Sequence, residues 1–314
     1  MTKAVFKVDF AGPHVSIQDA GRAGHMRFGV PASGPMDRLS MAAANLALGH
    51  SAQRACIEIS LGGLSLTCLS GDLTIAVAGG GFIVELTGQR RGSWGTMQIR
   101  TGDRLVIRPG PWGCWTYLAF SADILAQSWL RSLSTHTTSG MGGGKLQTGQ
   151  ILELSNAQSL PKSERKIPCP VIARPRHQLR CVLGPQDRFF DPETLSDLTQ
   201  SVFRVSTSYD RMGVRLTGPK VMSRNALGIP SEPILRGSVQ VSGDGVPTVL
   251  MADHQTTGGY PKIATVLDCD LDAFAQCRPG DRIGFHAVSS ETAIKVARFS
   301  RRQVDGYLAS VYPQ

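Results

Sequence analysis

The sequence predicts a mainly β protein organised as two units, and three observations carry the prediction. First, 35 glycines and 18 prolines among 314 residues fall between short apolar stretches, where turn residues belong. Second, apolar and polar residues alternate with a period of two in one segment after another, the pattern of a strand with one face on a core. Third, the stretch between Asn156 and His177 mixes prolines with basic residues, the composition of a connector. The length suits two domains of roughly 150 residues each. Their expected extents are residues 1–160 and 177–314.

The elements follow in chain order. Phe6, Val8 and Phe10 oppose Lys7 and Asp9 in the first strand, and Ser40 to Leu48 forms a short helix stopped by Gly49. Ile57, Ile59 and Leu61 then oppose Glu58 and Ser60, and Leu73, Ile75 and Val77 oppose Thr74 and Ala76. Each reads as a half-buried antiparallel strand. In the second half, strands are expected at 179–183, 203–207, 214–217, 248–252, 264–267 and 283–288. Asp191-Pro192-Glu193 opens a helix with an Asp N-cap and a Pro in its first turn. Another helix runs from Asp270 to Cys277, ahead of Pro279-Gly280. The last runs from about Ser290 to Val311, with Ile294, Ala297, Val304 and Leu308 on one side and Lys295, Arg298 and Arg302 on another face. A weak repeat links the halves: IRTGDRLVI at Ile99 to Ile107 and CRPGDRIGF at Cys277 to Phe285 share Arg, Gly, Asp and Arg in register.

Composition excludes several function classes. With 41% hydrophobic and 18% charged residues the chain is not disordered. The formal charge is +9, yet the longest basic runs are pairs such as Arg90-Arg91 and Arg301-Arg302, so no nucleic-acid partner is expected. Seven scattered cysteines with no CxxC pair suit a reduced, cytoplasmic protein with buried thiols. The first residues lack a signal-peptide core, and the long apolar stretch from Ile59 to Val84 is broken and alternating, so strands rather than a membrane helix are expected.

Catalytic signatures of the familiar kinds, HExxH, GxSxG and GxGxxG, are absent. Gly140-Met141-Gly142-Gly143-Gly144-Lys145 imitates a phosphate loop, but its glycine spacing is wrong and Leu146 stands where a magnesium-binding hydroxyl belongs; it reads as a flexible glycine loop. The seven histidines are dispersed, so no metal site is expected. Three polar clusters remain. The first runs from Gln18, Asp19 and Arg22 through Ser33 to Asp37. Its Asp and Arg can orient a small anion, or alternatively scaffold the loop, with Asp19 paired to Arg22 and Asp37 capping the helix. The second holds Asp210 and Arg211 at a turn before a strand, either a structural pair or a fork for a carboxylate or phosphate. The third, Asp253-His254-Gln255-Thr256-Thr257-Gly258-Gly259-Tyr260-Pro261-Lys262, follows an apolar strand. Backbone N–H groups around Gly258 and Gly259 can receive an oxyanion, with Lys262 as charge partner and Asp253 as proton acceptor; the competing reading is a hydrogen-bonded turn.

The order QDAGRAG, GVPASGPMD, AAANLALG, IEISLGG, YDRMGVRL, ADHQTTGGYPKIATV and RPGD resembles the C-subunit family of 5-oxoprolinase, also called allophanate hydrolase subunit 2, among the biotin-dependent carboxyltransferases. The likeness runs from about Val5 to Val288. It implies two cyclophilin-like β-barrel domains and a chain that works with a partner carrying the other carboxyltransferase half, the B-type subunit of 5-oxoprolinase, and with a third, A-type subunit. It also implies ATP-dependent opening of 5-oxoproline, or a related cyclic amide, to glutamate, with ATP on this chain or on a partner. Asp19, Arg22, Asp37, Asp253 and Lys262 are then the catalytic candidates. Gln18, Ser33, Asp210, Arg211, Gln255, Thr256, Thr257, Gly258, Gly259 and Tyr260 are the substrate-binding ones. His254 stands where the family usually has arginine, which removes a permanent cation. Two alternatives stay open: a carboxyltransferase component acting on urea or an amide with biotin carried by another protein, and a non-catalytic protein that binds a partner, as in a relative that antagonises a kinase inhibitor.

Overall fold

The computed structural model describes residues 2–161, 164–224 and 229–312; Lys162 and Ser163 of the proline-rich connector lie outside the described residues. The chain divides into two compact units. One comprises Met1–Arg22, Ser33–Arg174 and Val304–Gln314, the other Ala23–Ala32 and Pro175–Gln303. The break after Arg174 falls inside the proline-rich connector. Two short pieces, 23–32 and 304–314, group with the unit that their sequence neighbours do not.

The first unit holds two antiparallel sheets. In spatial order, one consists of Asp123–Ile124, Ile151–Ser155, Lys3–Ala11, Leu64–Ser70, Arg104–Arg108, Ile83–Leu86 and Gln89–Gly92. The other consists of Arg165–Lys166, Gly95–Ile99, Leu73–Ala78, Thr116–Phe120, Cys56–Ile59 and Ser16–Gln18. Phe6, Val8 and Leu152 of the first and Ile57, Ile75 and Leu118 of the second belong to one buried apolar core. Phe10, expected to face that core, is 51% exposed. A register irregularity between Val8 and Phe10 shifts the phase by one residue and turns Phe10 outward.

Helix α1, Arg38–Ala47, packs on Thr116–Phe120 and Leu73–Ala78. The second sheet is therefore covered on both faces, and the polar residues of its alternating strands do not meet water. Glu58, which the alternation placed on an exposed face, is fully buried, as is Thr74. Asp37 caps α1: its Oδ1 accepts from Ser40 N at 2.9 Å and its Oδ2 from Ser40 Oγ at 2.6 Å.

The second unit contains a closed seven-stranded barrel in the order Gln178–Leu183, Lys262–Val266, Ser238–Val241, Pro247–Leu250, Gly213–Thr217, Phe203–Tyr209 and Arg282–Ala287. Closure comes from the parallel pairing of the last strand with the first, Gln178 opposite Gly284. Phe203 and Phe285 meet edge to face in its core, 5.8 Å apart. Helices α2, Pro192–Gln200, and α3, Asp268–Ala275, lie close to their expected positions. Asp191 precedes α2 but makes no side-chain cap; its carboxylate pairs with Arg224. Helix α4 spans Ser290–Val311, close to the expected bounds, and of its apolar side Val304 and Leu308 are half-buried. Ala293 and Val311 are buried, whereas Ile294 is 52% and Phe299 62% exposed and Ala297 is also exposed. No helix among the described residues is long and apolar enough to cross a membrane.

The two copies of the Gly-Asp repeat adopt the same turn. Asp103 N donates to Arg100 O at 3.0 Å, and Asp281 N to Arg278 O at 2.9 Å. Each aspartate's Oδ2 accepts from the backbone N–H three residues earlier, at 2.8 Å in both. The neighbouring strands are bridged alike, Gly102 N to Cys68 O and Cys68 N to Asp103 O in one unit, Gly280 N to Val205 O and Val205 N to Asp281 O in the other. Both glycines have φ of 91°, as the third position of a type II turn requires.

Candidate functional site

In the first unit, the segment 132–135 gathers Gln18, Asp19 and Arg22. The Asp19 carboxylate accepts from Ser132 Oγ at 2.6 Å, Ser134 Oγ at 2.7 Å, Leu133 N at 2.6 Å and Gly21 N at 2.9 Å. Arg22, 2% exposed, donates to the Ser134 carbonyl and lies 4.9 Å from the Trp129 ring. Gln18 Nε2 donates to Ser16 Oγ and Thr135 O. Asp19 thus ties down the 132–134 backbone, much as the scaffold reading requires, although through serines and a backbone N–H. The glycine loop is part of the same knot. Gly143 N donates to Leu133 O and Gly144 N to Thr135 Oγ1, while Ile17 N donates to Gly144 O. A side chain at Gly142 would collide with the Ser134 carbonyl. These glycines serve close backbone approach, so the loop is stitched in place rather than flexible.

Asp37 leads to a buried network that sequence reasoning missed. Tyr117 OH accepts from Asp37 N at 2.7 Å and donates to Glu58 Oε2 at 2.8 Å, which also accepts from Met36 N at 2.8 Å. Burial pushes the Tyr117 hydroxyl well up, helped by the charges of Glu58 and Asp37, and burial does the same to the Cys56 thiol, helped by Glu58 and Asp19. Both groups stay protonated, and the Tyr117 hydroxyl stays a donor to Glu58. Ser33, a substrate-binding candidate, has φ of 54°, and its buried Oγ has no hydrogen-bond partner among the described residues.

In the second unit, Arg211 and Asp253 form a fully buried bidentate pair, Nε to Oδ2 at 3.0 Å and Nη2 to Oδ1 at 2.9 Å. Asp253 therefore spends its acceptors on a guanidinium, which argues against a role as proton acceptor. Asp210 Oδ1 accepts from Met212 N and Gly213 N, closing the turn before the next strand. Thr257–Gly258 pairs with Glu232–Pro233 as a two-stranded ribbon, so this backbone lies in a ladder rather than in an anion-binding turn. Gln255, Thr256 and Gly259 are half-buried, and Tyr260 is 49% exposed.

Lys262 is the candidate that acquires a chemically suggestive setting. Its Nζ, nearly buried, lies 3.3 Å from Glu232 Oε2, and its backbone N donates to Gln186 Oε1 at 3.0 Å. Gln186 Nε2 donates to the same Glu232 oxygen at 2.8 Å. Opposite Lys262 in the sheet is Gln240, 5% exposed, whose Nε2 has no hydrogen-bond partner among the described residues. Sequence reasoning missed Gln186, Glu232 and Gln240. No strand was expected at Ser238–Val241, and the alternation present there would place Gln240 on the outer face.

A cavity of about 540 Å³ in this unit is lined by apolar residues such as Met26, Val182, Leu235 and Val266 and by the polar Arg236, His254, Thr265 and Asp268. His254 Nδ1 lies 2.6 Å from the Gln255 carbonyl, so it donates there and leaves Nε2 as an acceptor. Burial holds its pKa below the ordinary value of 6.5, and the Arg236 charge adds to this. Arg236, itself 3.2 Å from Asp272, thus supplies a cation beside His254.

A mainly β chain whose second half closes as a barrel, with polar residues concentrated at strand ends, is a domain of carboxyltransferase type. The model of the carboxyltransferase domain, subdomain A and B, matches residues 28–287, and the chain belongs to that family. It is 34% identical to the 5-oxoprolinase C-subunit of Haemophilus influenzae, with 92% of this chain and 93% of that protein aligned. It is 31% identical to the 5-oxoprolinase C-subunit of Escherichia coli, over 95% and 96%. Urea amidolyase of Saccharomyces cerevisiae is 30% identical over 91% of this chain but only 17% of its own length. Among solved structures, the urea carboxylase of Kluyveromyces lactis superposes with a TM-score of 0.86 at 25% identity, over 100% of this chain and 30% of that one. TTHA0988 gives 0.81 at 33% identity, over 90% and 56%, so this chain spans about half of that protein.

Proposed function

We propose that this chain is the C-type component of a cytoplasmic 5-oxoprolinase-type complex, active with a B-type and an A-type subunit, that uses ATP to open 5-oxoproline or a related cyclic amide to glutamate. The observation that carries this reading is coverage: the alignment takes in 93% and 96% of the two C-type 5-oxoprolinase relatives, against 17% of the yeast urea amidolyase.

The chemistry favours the second unit. A lactam is an unreactive amide; its opening needs a fixed positive charge near the oxygen that accumulates electrons and a base for the attacking water. Lys262 is a nearly buried ammonium, and Glu232 is held through one oxygen by Lys262 and Gln186 while its side chain stays 43% exposed. Glu232 is therefore positioned to take a proton from water. The cavity beside His254 suits a small ring bearing one carboxylate: apolar walls for the ring, the Arg236 guanidinium for the carboxylate, and the His254 imidazole and Asp268 carboxylate as acceptors for a ring N–H. ATP does not fit the loop that imitates a phosphate cradle, because its glycines are engaged with segment 132–135, and ATP is assigned to one of the partner proteins.

The test is reconstitution. The chain is purified with its two partner proteins, ATP and 5-oxoproline are supplied, and phosphate and glutamate are followed. Turnover should require all three proteins, and Glu232→Gln should lower kcat by at least about a hundredfold without disturbing assembly. Full turnover without this chain would overturn the proposal. The superposition with urea carboxylase favours a second reading, carboxyl transfer from a biotinylated carrier. Incorporation of labelled bicarbonate into urea or another amide, in the presence of such a carrier, would select it. Tight partner binding with no turnover in either assay would select a non-catalytic role.

A further inference from the structure

We infer that the second unit carries a binding site for one zinc-class divalent cation, formed by His177, Cys277 and Asp281. One ligand atom from each lies within 4.8 Å of the other two. Imidazole, thiolate and carboxylate together form a borderline-soft donor set suited to Zn²⁺, with the fourth tetrahedral position left to water. Bond lengths of about 2.0–2.3 Å put tetrahedral donors roughly 3.3–3.8 Å apart, so closing the site takes side-chain movements of about 1 Å. His177 precedes the Gln178–Leu183 strand and Asp281 precedes the Arg282–Ala287 strand, and these two strands pair in parallel. Cys277 follows α3. Residues a hundred positions apart are thereby brought together at one end of the barrel seam, which sequence spacing does not reveal.

The groups are held in ways compatible with ligation. His177 Nδ1 lies 3.2 Å from the Arg282 carbonyl, the kind of backbone contact that orients a metal-binding imidazole. Asp281 uses Oδ2 for the Arg278 N–H. Cys277 is 4% exposed, with Sγ 3.3 Å from the Arg176 carbonyl and 4.0 Å from that of Ala273. The first unit supplies an internal control. Its copy of the turn makes the same hydrogen bonds around Asp103, yet the residue corresponding to Cys277 is Ile99. The turn needs its aspartate and not the thiol, so the turn does not account for a cysteine here.

Zn²⁺ is titrated calorimetrically into the reduced, tag-free full chain, and Co²⁺ binding is followed by the near-ultraviolet charge-transfer band that a thiolate ligand produces. One equivalent of metal should bind, the cobalt band should appear, and saturating Zn²⁺ should raise Tm. Cys277→Ser should abolish the band, and His177→Ala should weaken binding at least about tenfold. His177 is exposed, so its replacement tests the site even if the Cys277 variant does not fold. Cys169→Ser, at a half-buried thiol outside the cluster, should change nothing. Absence of saturable binding, binding that survives in His177→Ala and Cys277→Ser alike, or loss in Cys169→Ser would each overturn the assignment.

Discussion

Replacing Asp253 by Asn converts a competing view of this residue into a stability measurement. Arg211 and Asp253 are both fully buried and joined by two charge-assisted hydrogen bonds of 3.0 and 2.9 Å. Asn keeps the shape and one acceptor but removes the negative charge that pairs with the buried guanidinium. Breaking a buried pair in this way costs about 3–5 kcal/mol. At roughly 2–4 °C per kcal/mol for a domain of this size, Tm should fall by about 6–20 °C. Calorimetry of the purified chain measures it, with far-UV circular dichroism at 20 °C to establish that the variant is folded. Replacing both partners by apolar residues of similar volume, Arg211→Met with Asp253→Leu, should recover most of the loss, because no orphaned charge remains. A Tm within about 2 °C of the parent for Asp253→Asn would refute the structural role and restore Asp253 as a candidate base.

Three other outcomes are expected. Tyr117→Phe removes the hydroxyl shared by Asp37 N and Glu58, so chemical denaturation should show a loss of about 2–4 kcal/mol, in line with two buried groups losing a partner. His254 has a folded pKa below its unfolded value, so the unfolded chain binds the proton more readily. Stability from this residue is complete above pH 6.5 and declines as pH falls through the interval below it; His50, also lowered by burial, contributes in the same direction. His254→Gln should flatten the Tm-versus-pH profile on the acid side of pH 6.5. Gly142→Ala forces a methyl group toward the Ser134 carbonyl at a φ of 100°, and the resulting loosening of segment 132–146 should appear as faster amide exchange there.

Much of the strand and helix plan was legible because it rests on local signals. Alternation found Lys3–Ala11, Cys56–Ile59 and Leu73–Ala78 and most of the barrel strands but not Leu64–Ser70, Thr116–Phe120 or Ser238–Val241, and the bounds of α4 lie close to those its pattern suggested. Legibility failed where a second layer or a bulge intervenes. Glu58 follows the rule for a solvent-facing residue, but α1 covers that face and converts it into a buried acceptor. Phe10 follows the rule for a core residue, but a bulge rotates it out. At the candidate site, single clusters were visible and their partners were not. Lys262 was found from its polar motif, whereas Glu232 and Gln186 reach it from 30 and 76 residues away. Conversely, Arg211 and Asp253 were each left between a structural and a chemical role in separate clusters, and the sequence did not show that they pair with each other.

Arg165 also bears on the order in which the chain can complete itself during synthesis. Its guanidinium donates to the last carbonyls of two helices, Ala47 of α1 at 2.6 Å and Val311 of α4 at 2.9 Å. Tyr307 OH adds a bond to Pro168 O, and Tyr312 OH one to Gly49 O. All of these partners belong to the first unit, yet Val311 is made only after the whole barrel of the second has been synthesised. At 5–20 residues per second the delay is roughly 7–30 s. During that interval the ribosome carries a first unit whose Arg165 and α1 terminus still await their final partner, so the half that is translated first is the half that is finished last.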